Sequence, residues 1–306
     1  MDLKLCIEIN EEFIKIIEGW EKKGKIYITN IEKIKNPIDT FEKITDDEVE
    51  KLGNFLRDFL KENKFKGKKG LLSICDTKSI YNYFELPNLS KEELENAIKL
   101  EGIQVIPDFI ENYEYDYITF DIENKKKNVI LIAYPKDKID LLCKILSKAH
   151  LKPFIIDVNG ISSLNSFLYF NSQEDPIGIL NIGFPVASLS IYLRDKFLLI
   201  RDIQSGIKNI EDIMDSNEKI TEFVNELKMS ILYFQNKTET IIDKIYLTGE
   251  AKRISSLKDI MERNLNLSVD YYNPLLNFPD SPIPNEKKED GISYAVCVGL
   301  LVRRII

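Results

Sequence analysis

Apolar and polar positions along the chain fall into two matching blocks. The first reads LKLCIEIN, a turn at Glu11-Glu12, FIKIIEGW and then KIYITNI. The second reads IGILNIG, a turn at Phe184-Pro185, VASLSIYL and then KFLLIRDI. Each block is three short runs rich in Ile, Leu, Val and Tyr joined by tight turns, the pattern of a β-meander. Superposed, Glu8 falls on Asn181 and Asn10 on Gly183. Each block is followed by a stretch at helical spacing. In Asp46–Lys61 the apolar face is Val49, Leu52, Phe55, Leu56 and Phe59, and in Ile220–Phe234 it is Ile220, Phe223, Leu227, Ile231 and Phe234. The pattern predicts a duplicated strand–turn–strand–strand unit with helices behind it. The residues alone leave open two unrelated meanders.

Residues 86–118 are the most explicit stretch. Ser90 and Glu93 are spaced as a capping box, and Leu89 and Leu94 as a hydrophobic staple. Leu94, Ala97, Ile98, Glu101 and Val105 follow at helical spacing, and Pro107 ends the run. An alternating segment then leads to Tyr115-Asp116-Tyr117. Val129–Tyr134 reads as a buried strand, Pro135–Ala149 as a helix, Lys152–Val158 as a further strand and Tyr294–Arg303 as a small-residue helix. PDSPIPNEKKEDG, ending at Gly291, is a polar, Pro-rich loop.

Composition narrows the class. A 306-residue chain with 44% hydrophobic and 30% charged residues is globular and long enough for more than one domain. A net charge of −8 argues against general nucleic-acid binding. No apolar run is long enough to span a bilayer, and the acidic, strand-like start is no basic leader, so the expected location is the cytosol. Cys6, Cys75, Cys143 and Cys297 are scattered through apolar segments without a Cys-x-x-Cys, which predicts buried thiols and no metal site. His150 is the only histidine and reads as a solvated helix end, which sets aside His-based catalysis. The basic stretches Lys61–Lys69 and Lys125–Lys127 read most simply as solvated turns, with contact to anionic lipid as the alternative.

The order Leu-Pro, Ser-x-x-Glu, a helix, Ile-Pro and an acidic strand ending in Asp-Tyr resembles the PilM family, the actin-like proteins of type IV pilus assembly. Asp157, Arg201 with Gly206, Thr248-Gly249, the Asn-Pro at 273–274 and the helix around Gly299 extend the resemblance over nearly the whole chain. It implies an α/β, actin-like (ribonuclease H-like, duplicated) fold with an inserted α/β subdomain and a reduced or absent capping subdomain in the second half. The implied divisions are 1–76 for the first half, 77–153 for the insertion, 154–173 for the return to the first half, 174–291 for the second half and 292–306 for a C-terminal helix on the first half.

The resemblance also frames a nucleotide question. In the family two glycine-bearing turns grip phosphates, and an aspartate in each half holds magnesium. Here Glu8 and Asn10 replace the first acid and glycine, with Glu11 and Glu12 crowding the turn. Asn181 replaces the second acid, Gly183 persists, and the adenosine-side motif reads Thr248-Gly249-Glu250. Lys15, Asp157 and Gly299 match family positions. A carboxylate about 4 Å from a phosphate costs about 4 kcal/mol at an effective dielectric of about 20, roughly a thousandfold in affinity. The expectation is therefore a degenerate cleft without cofactor or metal, and no enzyme. The alternatives are an ATP- and magnesium-binding actin-like ATPase and the cytoplasmic domain of a GspL-like protein of type II secretion. The resemblance implies a scaffold, peripheral to the inner membrane, that binds the cytoplasmic N-terminal peptide of a PilN-like protein. It further implies contacts with a secretion ATPase and a platform protein, in piliation, DNA uptake or secretion. The expected peptide-binding residues are Leu94, Ile98, Glu101, Ile106, Pro107 and Phe109.

Overall fold

The computed structural model describes residues 2–38, 44–74, 76–123, 125–171, 175–206, 217–254 and 256–303, with backbone alone at 217–220. The first block forms β1 (Lys4–Ile9), β2 (Phe13–Lys22) and β3 (Lys25–Lys35), an antiparallel meander. β4 (Lys69–Ile74) and β8 (Lys152–Val158) join it in parallel, giving the order β3-β2-β1-β4-β8. The second block forms β9 (Ile177–Ile182), β10 (Ala187–Leu193) and β11 (Phe197–Ile203). β12 (Lys244–Gly249) and β13 (Ser268–Tyr271) extend it in the order β11-β10-β9-β12-β13, the same topology repeated. The two blocks lie in separate sheets, as a duplicated actin-like fold requires.

Strand alternation assigns the layers. Leu5, Ile7 and Ile9 of β1 face a core shared with α1 (Asp46–Glu62) and α4 (Lys136–Lys148). Cys6 faces the other way, onto α9 (Ala295–Val302), which puts Glu8 and Asn10 on that inner side too. In the second sheet Leu180 and Ile182 pack outward against α6 (Asn217–Thr238) and α7 (Leu257–Leu265). Ile179 packs inward against α5 (Asn159–Phe170), so Asn181 also faces inward. α5 and α9 meet between the sheets. There Gly299 is obligatory, because a Cβ on it would lie 1.6 Å from the Ser162 carbonyl oxygen.

A third, antiparallel sheet, β5-β7-β6, is built from β5 (Ile80–Pro87), β6 (Tyr113–Ile122) and β7 (Lys126–Pro135). It carries α2 (Lys91–Val105) and the single turn α3 (Phe109–Asn112). The capping box at α2 forms as read: Ser90 Oγ accepts from Glu93 N–H at 3.4 Å, and Glu93 Oε2 accepts from Ser90 N–H at 2.9 Å. α1 is closed the same way by Thr45 and Glu48. Val105, read as part of the apolar face of α2, is 51% exposed, and Gly102 takes the inward place beside Leu94 and Ile98. α4 falls inside the expected insertion of 77–153, but its Ile145 and Leu146 pack into the first-half core with Leu52 and Leu56 of α1. A short helix α8 (Asn285–Glu289) and a 3₁₀ turn at Gly291–Tyr294 precede α9, which spans Ala295–Val302 where Tyr294–Arg303 was expected, while 304–306 lie outside the described residues. Cys6 and Cys297 are buried and Cys143 is partly so, while Cys75 lies outside the described residues. So do residues 172–174, on which the expected boundary between 173 and 174 falls, and 207–216, part of the short Gly206–Ile220 connection that goes with the expected reduced capping subdomain.

Candidate functional site

Two features meet where the halves face each other. One is the cleft at the ends of β1 and β9, and the other is a groove opening beside it.

In the cleft, the turns that would face a phosphate spend their donors internally. Asn10 Oδ1 accepts from the amides of Glu12 at 2.9 Å and Phe13 at 2.7 Å, closing the β1–β2 turn on itself. The Gly183 amide donates to Val186 O at 3.0 Å across the β9–β10 turn. Gly249 sits at φ +71° with room for no Cβ, since one would lie 2.3 Å from Ile182 O. That turn lets the Glu250 amide donate to Ile182 O at 2.7 Å. It delivers the Glu250 carboxylate into the first half, where Oε1 is 3.0 Å from Lys15 Nζ and Oε2 is 3.0 Å from Lys33 Nζ. Lys15 also lies 3.4 Å from Glu8 Oε1, its cross-strand partner, and Lys33 lies 3.6 Å from Asp290. Arg253 and Glu12 pair at the cleft mouth at 2.5 Å.

The electrostatics follow from burial. Glu8, Lys15 and Glu250 are 1%, 0% and 4% exposed, so none is solvated and each relies on the others. Burial opposes ionisation of Glu250, but Lys15 and Lys33 outweigh it and hold its pKa below the usual carboxylate range. Burial raises the pKa of Glu8, with Lys15 opposing and Glu250 adding to the rise. Burial also opposes the charge on Lys15, but Glu8 and Glu250 reverse that and push its pKa up. A Glu250 carboxylate thus stands against the two ammonium groups best placed to meet a bound anion.

The groove runs from the cleft mouth between the first half and the inserted sheet, with a volume of about 220 Å³. Its walls include Ile9, Leu72 and, from α4, Leu141, Leu142 and Ile145. Its rim is polar, with Ser73, Asp76, Lys138 and the Tyr134 hydroxyl, which donates to Asp76. Pro185 and Gln204 of the second half close one end.

A family model described as type IV pilus assembly protein PilM matches residues 6–222, more than two thirds of the chain. The chain belongs to the PilM family. Among solved structures, it is similar to the "PilM-PilN type IV pilus biogenesis complex" at 19% identity and TM-score 0.83, over 98% of this chain and 97% of that one. It is similar to the ethanolamine utilization protein EutJ from Carboxydothermus hydrogenoformans at 8% identity and TM-score 0.53, over 98% of this chain and 89% of that one. No helix among the described residues is long and apolar enough to cross a membrane.

Within this PilM-family fold the expected cleft residues separate into groups. Glu8, Lys15 and Glu250 come together, and Asn10, Asn181, Gly183, Thr248 and Gly249 shape the turns around them. Thr248 Oγ1 donates to Asn181 Oδ1 at 3.1 Å, leaving Asn181 Nδ2 and Asn10 Nδ2 without a hydrogen-bond partner among the described residues. Asp157 lies in the same cross-strand row as Ser73 and Glu8 but pairs with Arg303 at 2.8 Å, in a separate cavity beneath β6. Burial raises its pKa, with Arg303 opposing. Gly299 serves the α5–α9 crossing.

The expected peptide-binding set is corrected by burial. Leu94, Ile98, Ile106 and Phe109 are 8%, 0%, 2% and 1% exposed and form the core of the inserted subdomain with Val129 and Leu131. Phe109 fills the space left by Gly102, whose absent Cβ would lie 2.3 Å from its ring, and packs on Tyr115 with centroids 4.8 Å apart. Of the six, Pro107 is exposed and Glu101 partly so. Sequence reading missed Lys33, Asp290 and Arg253, whose partners are remote in the chain, and it missed the groove walls. The apolar face of α4 was the available signal for those walls.

Proposed function

We propose that this chain is a non-enzymatic scaffold of type IV pilus assembly, or of a related secretion or DNA-uptake machine. It captures the cytoplasmic N-terminal peptide of a PilN-like inner-membrane protein in the groove between the first half and the inserted sheet. The observation that carries the reading is the groove itself. Aliphatic walls from β1, β4 and α4 accept apolar side chains, while the Ser73–Asp76–Lys138 rim can hydrogen-bond an extended backbone. The pairing of PilM with PilN in the similar solved complex supports the class of partner. Recruitment to the inner membrane then runs through that partner, and contacts with a secretion ATPase and a platform protein extend the same role.

The cleft residues do not fit a nucleotide triphosphate with magnesium. The turn amides are occupied, Lys15 and Lys33 are paired, and Glu8, Glu12 and Glu250 would face the phosphates. The proposal therefore assigns no nucleotide and no hydrolysis to this chain.

The test is binding of a labelled N-terminal peptide of the membrane partner, followed by fluorescence anisotropy. Leu141→Gln and Leu142→Gln should each weaken binding more than tenfold while the melting temperature holds. Folded variants that bind as the parent does would place the peptide elsewhere. Calorimetry with Mg-ATP should give no heat, and micromolar binding that is lost in Lys15→Met would overturn the nucleotide-free reading.

A further inference from the structure

The start of the first sheet's parallel strands, opposite the cleft, is a lysine edge. Lys4, Lys69 and Lys152 open β1, β4 and β8 and are direct cross-strand partners, so they stand in one row at the strand spacing of about 4.8 Å. The loop into β4 adds exposed Lys66 and Lys68. The β2–β3 hairpin tip, at the same end of the sheet, adds exposed Lys22, Lys23 and Lys25.

This edge is built rather than loose. Glu18, 4% exposed, accepts from the amides of Lys66 at 2.5 Å and Gly67 at 2.8 Å through Oε1, and from Thr29 Oγ1 at 2.8 Å through Oε2. Asn30 Nδ2 donates to Asn63 O at 3.1 Å. A buried carboxylate with no part in the cleft thus fixes the lysine loop against the hairpin.

Aromatic side chains punctuate the lysines. Phe154, two residues into edge strand β8, is 49% exposed with Lys69 Nζ 4.7 Å from its ring centre. Tyr27, 42% exposed, stacks at 4.6 Å on Trp20, the only tryptophan of the chain. Lysines around half-exposed Phe, Tyr and Trp combine long-range attraction to anionic headgroups with rings suited to the interface. The rest of the molecule strengthens the orientation. Residues 85–123 hold eleven acids and two lysines, so the inserted subdomain is repelled by a negative surface while the sheet edge is drawn to it.

We propose that this lysine–aromatic edge rests on an anionic membrane surface. The inference stands on the edge alone and is independent of the peptide groove, which lies at the other end of β1 and β4, about 20 Å away by strand rise.

The test is co-sedimentation of the full chain with phosphatidylcholine vesicles, with and without phosphatidylglycerol. Binding should require the anionic lipid and fall as salt rises. Each lysine lost should lower partitioning on the order of fivefold, so Lys66→Glu/Lys68→Glu should lose more than tenfold. Phe154→Ser should weaken binding without changing its salt dependence. Lys99→Glu/Lys228→Glu, the same charge change elsewhere, should have little effect, and melting temperatures confirm that all variants fold. Absence of vesicle binding, an equal loss in the control pair, or retention on duplex DNA as strong as on the vesicles would each overturn the proposal. Peptide capture in the Lys66→Glu/Lys68→Glu variant should be intact, which separates the two readings.

Discussion

Replacing Lys15 by Met tests the cleft most directly. Lys15 is 0% exposed and is the ammonium shared by Glu8 at 3.4 Å and Glu250 at 3.0 Å. Methionine keeps most of the side chain's volume, so little of the effect is a cavity. What changes is charge. Glu250 retains Lys33 at 3.0 Å, whereas Glu8 loses the cation that opposed its desolvation. Removing one partner of a buried ion pair costs about 3–5 kcal/mol, several times a surface pair. Urea unfolding followed by circular dichroism should show a loss of that size near neutral pH.

The pH dependence distinguishes this cause from simple misfit. The pKa of Glu8, already raised by burial, rises further once Lys15 is gone. The folded state then binds a proton that the unfolded chain releases above its ordinary glutamate pKa of about 4.3. Stability through this group is therefore complete below that value and falls as pH rises toward the folded pKa. The gap between variant and parent should narrow on acidification toward about pH 5, and Glu8→Gln placed on Lys15→Met should recover much of the loss. A deficit below about 1 kcal/mol, or one that ignores both pH and the second substitution, would refute the argument.

Three further outcomes follow from burial. Phe109→Ala should destabilise the inserted subdomain by about 3–5 kcal/mol, read as a lower first transition in thermal unfolding, because the ring is 1% exposed against Gly102 and Tyr115. Gly299→Ala should prevent soluble folding or lower the melting temperature sharply, since its Cβ would overlap the Ser162 carbonyl and neither helix backbone can yield cheaply. The pKa of Asp202 is pushed up to about 6 by burial, with hydrogen bonds from Ser188 and Tyr81 opposing the rise. Its contribution is complete below the unfolded aspartate pKa and is lost as pH rises through about 6, so Asp202→Asn should flatten that part of the stability–pH curve.

What the sequence disclosed was local or periodic. The capping box of α2 was legible because Ser90 and Glu93 satisfy each other within one turn. The duplicated sheets were legible because strand alternation writes inward and outward faces into the chain, including Glu8 and Asn181 as polar residues on inward positions. Long-range pairing was not legible. Lys33 and Glu250 are 217 residues apart, and neither has a spacing that announces the other. The misreading of Phe109 has a similar origin. Its segment after Pro107 looked irregular and open, but the absent side chain of Gly102 makes a socket that only the folded helix presents. The lysine row was not legible either, because Lys4, Lys69 and Lys152 come from strand starts that are adjacent only in the sheet.

On the proposed reading, the ties around the cleft explain how a groove can keep its shape without a nucleotide. The walls come from three places: the first half, the inserted sheet and, at Pro185 and Gln204, the second half. Glu250 joins second half to first through Lys15 and Lys33, and Arg253 joins them again through Glu12. The insertion is tied to the second half by the Tyr81 hydroxyl on Asp202 at 2.8 Å, by Tyr83, whose hydroxyl donates to Ile200 O at 2.7 Å, and by Lys237 on Glu85 at 2.7 Å. Of these, the exposed pairs contribute little individually, and the buried Lys15–Glu250 contact carries the specificity. A groove whose three walls are fixed in advance loses less entropy when a peptide enters, and that saving appears directly as affinity. Lys15→Met should therefore weaken peptide capture even though Lys15 does not line the groove, whereas a variant of the exposed Lys237–Glu85 pair should bind the peptide as the parent does.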